Sequence, residues 1–255
     1  VVRPRRSQPT KMVLKRELIK PGEIQATLIE DGIGLLRIPN FSYGVSEKVL
    51  SKIGLLLSMD VQGILVDLRG NSTGVITEAV RVADLFLEQD KLIAKVVTRE
   101  GTYEEFRSGE KNIIGNRSLV LLINGGTSGP AELFSAALMD NKDVVSVGLR
   151  TNGNGSIQEK FEIGEGSVVF LGTRLIMRPN GKPLKGRTAN ASGLLPTTRS
   201  PSQNFITNFY FENAVDEMGE DKLERFYQEL DEAIGQEQLD EGLDEMRKGI
   251  LKKAA

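Results

Sequence analysis

Two short turns hold the groups in this sequence that could do chemistry. Asp67 to Gly74 and Asn124 to Glu132 each follow an apolar run and precede a helical pattern. A strand-to-helix turn of this kind aims backbone N–H groups at one point, and the helix N-terminus there favours negative charge. Such a site suits a carboxylate, or an oxyanion formed during acyl transfer. Glycine-rich turns of this kind are also common as plain connections, and both readings stand at this point. Asp67, Arg69 and Asn71 are of a type to tie the first turn together by hydrogen bonds rather than to act as acid or base. Glu132, near a helix N-terminus, is favourably placed with the macrodipole and reads as structural. The nearby hydroxyls and amines are Ser128 in the turn, Ser135 one turn into the helix, and Lys142 and Lys160 beyond.

Composition narrows the chemistry. The 255 residues contain no histidine and no cysteine. That excludes a Ser-His-Asp triad, a thiol nucleophile, a disulfide framework and an imidazole- or thiolate-bound zinc. Any nucleophilic mechanism would need a lysine, a carboxylate or water as its base. The net charge of −2 and the absence of tryptophan give no footing for a nucleic-acid or anionic-membrane partner. No apolar run approaches the length of a membrane span. Val1 to Thr10 is basic but lacks the apolar stretch of a signal peptide. The carboxylates of the C-terminal part lack the alternating spacing and central glycine of a calcium loop. No cofactor or metal is expected.

The elements that must position the two turns are legible as alternating strands and helices. Lys11 to Glu30 reads as extended, broken at Pro21-Gly22, and Ile33 to Ile38 reads as a strand closed by Pro39. Val49, Leu50, Ile53 and Leu56 share a helix face opened by Ser46. Gly63 to Leu68 and Leu119 to Ile123 are continuous apolar runs, as expected of strands buried on both sides. Helical spacing follows each one, at Ile76 to Leu87 and at Ala131 to Met139, and Val144 to Val147 is a further strand. Repeated strand–helix units predict a largely parallel sheet. Ile157 to Met177 reads as hairpin strands around Gly164 to Gly166. Beyond Ser200 the chain turns acidic and helical. One stripe runs through Leu223, Phe226, Tyr227, Leu230 and Ile234, another through Leu239, Leu243, Met246 and Ile250, and Gly235 is expected to separate two helices.

Several segments, in order and at normal spacing, resemble the C-terminal-processing (tail-specific) serine peptidases. Gly63-Ile-Leu-Val-Asp-Leu-Arg-Gly-Asn-Ser-Thr-Gly74 is similar to that family's first strand and turn. Asn124-Gly-Gly-Thr-Ser-Gly-Pro-Ala-Glu132 resembles its nucleophile segment, and Val147-Gly-Leu-Arg-Thr-Asn-Gly-Asn-Gly-Ser-Ile-Gln158 its lysine segment. Ile33 to Phe41, Val169 to Pro179 and Ser192 to Pro196 resemble further strands and the closing turn. The resemblance covers roughly residues 11 to 198.

In such peptidases a serine attacks the peptide carbonyl, a lysine of lowered pKa acts as general base, and a glutamine orients it. The resemblance places the serine at Gly129, the lysine at Asn154 and the glutamine at Gln158. Glycine has no nucleophilic atom, and an asparagine amide is not a base at neutral pH. The family's oxyanion donors fall on the residue after the nucleophile and on the glycine turn after the first strand. Here these are Pro130, which has no N–H, and the Thr73-Gly74 pair, where threonine stands in place of a glycine and is expected to be strained. With Ser128 they form a degenerate oxyanion region.

The resemblance implies an α/β fold with a mostly parallel central sheet and flanking helices of the crotonase/ClpP kind. A strand-rich portion and a C-terminal helical extension complete it. The expected division is residues 1–20 as the remnant of a final PDZ strand, 21–200 as the protease-like core and 201–255 as the helical extension. A start within the β-type pattern Met12-Val-Leu14 suggests a shortened chain. The function expected is an inactive protease-like domain that binds extended polypeptide or protein C-termini by strand addition. The alternatives are an active endopeptidase using displaced residues, a carrier of small apolar ligands resembling retinoid-binding repeats, and an acyl-CoA site of the crotonase type. Homo-oligomers through the C-terminal helices and an extracytoplasmic or thylakoid-lumen location are further expectations from the resemblance.

Overall fold

The computed structural model describes residues 22–101, 103–109, 112–185, 193–199 and 220–254. The expected PDZ strand at 1–20 lies outside these residues, as do the side chains of the Leu223 to Ile234 stripe.

Strands β1 (Gln25–Glu30), β2 (Ile33–Arg37), β3 (Gly63–Asp67), β6 (Ser118–Ile123), β7 (Val145–Gly148) and β10 (Thr198–Arg199) form one sheet, in the order β1-β2-β3-β6-β7-β10. All neighbours are parallel except β1, which pairs antiparallel with β2. β3 and β6 are central and buried along their whole length. That placement is why their sequences run apolar rather than alternating.

The two faces of the sheet are covered by different elements. On one face Ile64, Val66, Leu119 and Leu121 pack against helices α1 (Val45–Ser58), α2 (Ile76–Asp84) and α3 (Pro130–Asn141) through Ile53, Ala79 and Phe134. On the other, Leu65, Val120 and Leu122 meet Met246, Leu239, Leu243 and Ile250 of the C-terminal helix α4 (Glu220–Ala254). Gly242 lets α4 settle close to the sheet, since a Cβ there would lie 2.8 Å from Leu122 Cδ2 and 3.1 Å from Leu65 Cδ1. α4 is one continuous helix, so Gly235 does not separate a pair. A helical glycine costs only about 1 kcal/mol, and the packing of the second stripe against the sheet outweighs it. Leu50, placed by spacing on the buried face of α1, is instead 44% exposed.

A second sheet is antiparallel, in the order β5-β4-β9-β8. Its members are β4 (Leu92–Thr98), β5 (Tyr103–Arg107), β8 (Ser156–Gly164) and β9 (Ser167–Met177). The β8–β9 hairpin turns at Glu165-Gly166, with φ of 50° and 72°, the paired positive values of a two-residue hairpin turn. β4 and β5 carry no clear apolar periodicity, because Lys95, Glu104, Glu105 and Arg107 interrupt it. β8 is an outer strand, and the far half of the hairpin leaves Phe161, Ile163 and Phe170 exposed.

Candidate active site

The carboxyl ends of β3 and β6 deliver the two turns side by side, as parallel α/β sheets do with their reactive loops. Hydrogen bonds stitch the turns together. Asn124 Oδ1 accepts the N–H groups of Gly70 and Gly126, both at 3.0 Å. Thr127 Oγ1 donates to the Leu68 carbonyl at 2.9 Å, and the Ser128 N–H donates to the Asn71 carbonyl at 2.9 Å. Asn71 Nδ2 in turn donates to the Ile38 carbonyl at 2.8 Å. The first turn is fixed by Arg69, whose Nε and Nη2 each donate to Asp67 at 2.9 Å. Arg69 Nη1 also reaches the Gly235 carbonyl of α4 at 2.6 Å. Asp67, Arg69 and Asn71 are therefore hydrogen-bonding members of the scaffold.

At Gly129 the chain turns sharply from strand into helix, with φ 56° and ψ −112°. An L-residue holds such a conformation only with strain, and a strained strand-to-helix turn is how many hydrolases expose a nucleophile. A Cβ built at Gly129 would meet nothing nearer than the Asn154 carbonyl at 4.0 Å. Gly129 therefore faces open space. Pro130 follows as the first residue of α3 and presents no N–H.

Glu132 is the centre of the arrangement. Its fully buried carboxylate accepts four hydrogen bonds. Oε2 takes the N–H of Gly129 and the N–H of Asn154, both at 2.9 Å. Oε1 takes Thr151 Oγ1 at 2.5 Å and the Gly153 N–H at 2.6 Å. Thr151 Oγ1 also accepts from the Leu194 N–H at 2.7 Å, and the Asn152 N–H donates to the Thr127 carbonyl at 3.0 Å. One carboxylate thus joins the 124–130 turn to the 151–155 loop. The sequence suggested only a helix-dipole role for Glu132. The four partners lie up to 22 residues away, and no periodicity encodes a bond of that range.

A cleft of about 620 Å³ opens at this junction. Gly74, Gly129, Pro130, Asn154 and Gln158 all line it, as do Tyr43 and Arg174, with Ile76, Ile157 and Ile176 as apolar walls. Of the expected site residues, the cleft therefore brings together the nucleophile, base and glutamine positions with half of the glycine pair. Thr73 and Ser128 do not line it. Thr73 is not strained, because positive φ falls on the neighbouring Gly74 at 130°. A Cβ on Gly74 would overlap the Phe41 backbone, and the Thr73 carbonyl accepts the Phe41 N–H at 2.9 Å. Only the second position of this pair demands glycine.

The remaining hydroxyls and amines lie elsewhere. Ser135 donates to the Ala131 carbonyl within α3 at 2.8 Å. Lys142, past the C-terminal end of α3, donates to the Phe86 carbonyl at 2.8 Å. It is half-buried, and that burial lowers its ammonium pKa. Lys160 pairs with Glu162 on the exposed hairpin at 3.2 Å. No cluster of acidic side chains suited to a metal ion occurs among the described residues. Sequence reasoning did not single out Tyr43, in the turn before α1, or Arg174 on β9, because their place at the cleft depends on tertiary contacts.

Comparison with known proteins places this geometry in a family. The model of peptidase family S41 matches residues 32–198. The carboxy-terminal processing protease CtpA of Bacillus subtilis is 30% identical over 158 residues, covering 62% of this chain and 34% of that protein. A carboxyl-terminal-processing protease of Synechocystis sp. is 31% identical over 167 residues, covering 64% of this chain and 39% of that protein. The solved photosystem II D1 C-terminal processing protease superposes with a TM-score of 0.61 at 21% identity, over 72% of this chain and 49% of that one. This last likeness shows the fold. The chain spans about a third to two-fifths of the length of these curated relatives.

Proposed function

The chain belongs to peptidase family S41, and on that premise we propose that it is a C-terminal-processing-protease-like domain that binds extended polypeptide without cleaving it. One observation carries this reading. Glu132 holds the backbones of Gly129 and Asn154 onto the same carboxylate oxygen, where the family resemblance puts serine and lysine, yet neither residue supplies a nucleophile or a base. The scaffold is intact and the reacting groups are missing from it.

The electrophilic side is depleted as well. Pro130 has no N–H to offer a developing oxyanion, and losing one such donor typically costs about 10²–10³ in rate. Ser128 is an unpromising substitute, being only 7% exposed and outside the cleft lining. Lys142 and Lys160 are committed to other partners.

What remains suits binding. The cleft combines apolar walls with the edge strand β8, whose first residues, Ser156 to Gln158, line it. An extended peptide could add to that edge through main-chain hydrogen bonds, with side chains seated in the cleft. The relatives are named for processing carboxyl termini, so a protein C-terminus is the partner proposed. The division into a core at 21–200 and a helical extension at 201–255 is part of this reading. So are self-association through α4 and a location outside the cytoplasm or in the thylakoid lumen. Among the described residues no helix is long and apolar enough to cross a membrane.

Titration calorimetry with unstructured peptides tests the binding, using Ile157→Asp to spoil the cleft. The expected result is saturable binding that Ile157→Asp abolishes while the fold persists. Peptides that do not bind, alongside a stoichiometric apolar small molecule in native mass spectra, would overturn the reading in favour of a ligand carrier.

A further inference from the structure

We infer that Arg174 anchors a carboxylate of the bound polypeptide in the cleft. The inference rests on the proposal that the cleft binds peptide, and it adds the chemistry by which the peptide is chosen.

Among the described residues lining the cleft, Arg174 is the one with a formal charge. The others that matter here, Ile157, Ile176, Ser72 and Gln158, are apolar or neutral. A cleft with apolar walls and a single charged lining residue complements an extended peptide carrying a single negative group. Arg174 sits on β9 directly opposite Ile157 of β8, one strand in from the edge where a peptide would add.

Its hydrogen bonding is incomplete. Nη2 pairs with Glu159 at 2.9 Å, whereas Nε is enclosed and has no partner. A guanidinium presents its N–H groups as a planar fork suited to two parallel bonds with a carboxylate. Glu159 is itself 43% exposed, and a pair that open to water is weak and readily exchanged. A carboxylate entering the cleft could compete with Glu159 for the exposed end of the guanidinium.

The carboxylate could be a chain terminus or an acidic side chain, and the experiment separates them. Fluorescence anisotropy of the full chain would use one labelled apolar decapeptide in three forms: free C-terminus, amidated C-terminus, and amidated with a single internal Glu. The acid-bearing form that fits should bind the wild type about tenfold or more tighter than the neutral form. Preference for the free terminus identifies a terminal carboxylate, and preference for the internal Glu identifies a side chain. The gap should close in Arg174→Gln, shrink in Arg174→Lys and widen in Glu159→Gln, where the fork is fully free. If acidic and neutral forms bind the wild type equally, or the gap survives Arg174→Gln, the anchor is wrong. Failure of all three forms to bind would instead overturn the peptide-binding reading, and the anchor with it. Arg174→Gln unfolding is covered by Glu159→Gln, since unchanged discrimination there contradicts the anchor independently.

Discussion

The backbone N–H groups of Gly129 and Asn154 converge on one oxygen, Oε2 of Glu132, each at 2.9 Å. The two positions are 25 residues apart in the chain, yet a single carboxylate sets the distance between them. This makes the site's geometry independent of the side chains at 129 and 154.

Glu132 should therefore be critical to stability as well as to site geometry. Glu132→Ala leaves several buried donors unpaired, each costing about 1–3 kcal/mol. The expected loss is at least about 3 kcal/mol in urea denaturation, with increased hydrogen exchange at residues 151–155. A loss below about 0.5 kcal/mol would show that the carboxylate does not hold the loop.

Placing serine and lysine at the positions the family resemblance assigns them tests the proposed inactivity. Gly129→Ser has room for its side chain, the nearest built contact being 4.0 Å, but φ 56° should cost about 1–3 kcal/mol. Gly129→Ser with Asn154→Lys should give little peptidase activity while Pro130 remains. Adding Pro130→Ala should raise the rate by about 10²-fold, the worth of one oxyanion donor. Robust cleavage by the double variant alone would refute the argument about Pro130.

The pair Asp67–Arg69 links the first turn to α4. Both side chains are largely buried, so Arg69→Met leaves an uncompensated carboxylate and should cost about 3–5 kcal/mol. The double variant Asp67→Asn with Arg69→Met should be less damaged than Arg69→Met. Because Arg69 also holds the Gly235 carbonyl, hydrogen exchange near residue 235 should rise in both. Equal stability of single and double variants would contradict the buried-charge account.

Glu78 makes part of the stability acid-sensitive. Burial pushes its carboxyl pKa up, but hydrogen bonds from Ser46 and Gly44 and the charge of Arg81 outweigh that, leaving it below the usual 4.5. The folded pKa lies below the unfolded one, so the stabilisation is fully present above pH 4.5 and is lost as pH falls through the folded value. Glu78→Gln should flatten stability across that window in acid titrations, and an unchanged acid limb would refute the assignment.

The sequence shows the fold clearly where a pattern has one cause. β3 and β6 read as buried strands because both of their faces are covered, and the two turns are recognisable at their ends. Gly129 and Asn154 could be placed only through ordered motifs, since neither residue type signals a site by itself. Glu132 was visible as a residue but not as a hub, because its partners come from a loop that folds back across the sheet's end. Gly235 misled for the opposite reason. Its local tendency to break a helix is small beside the packing of Met246 and Leu243 under the sheet.

The central proposal is a peptidase scaffold that persists here without peptidase chemistry. Its most direct test is mass spectrometry of an unfolded polypeptide incubated with stoichiometric protein. No new chain termini should appear, with wild type and Ser128→Ala indistinguishable. Defined cleavage products that vanish in Ser128→Ala would contradict the claim and establish a working serine peptidase built on displaced residues.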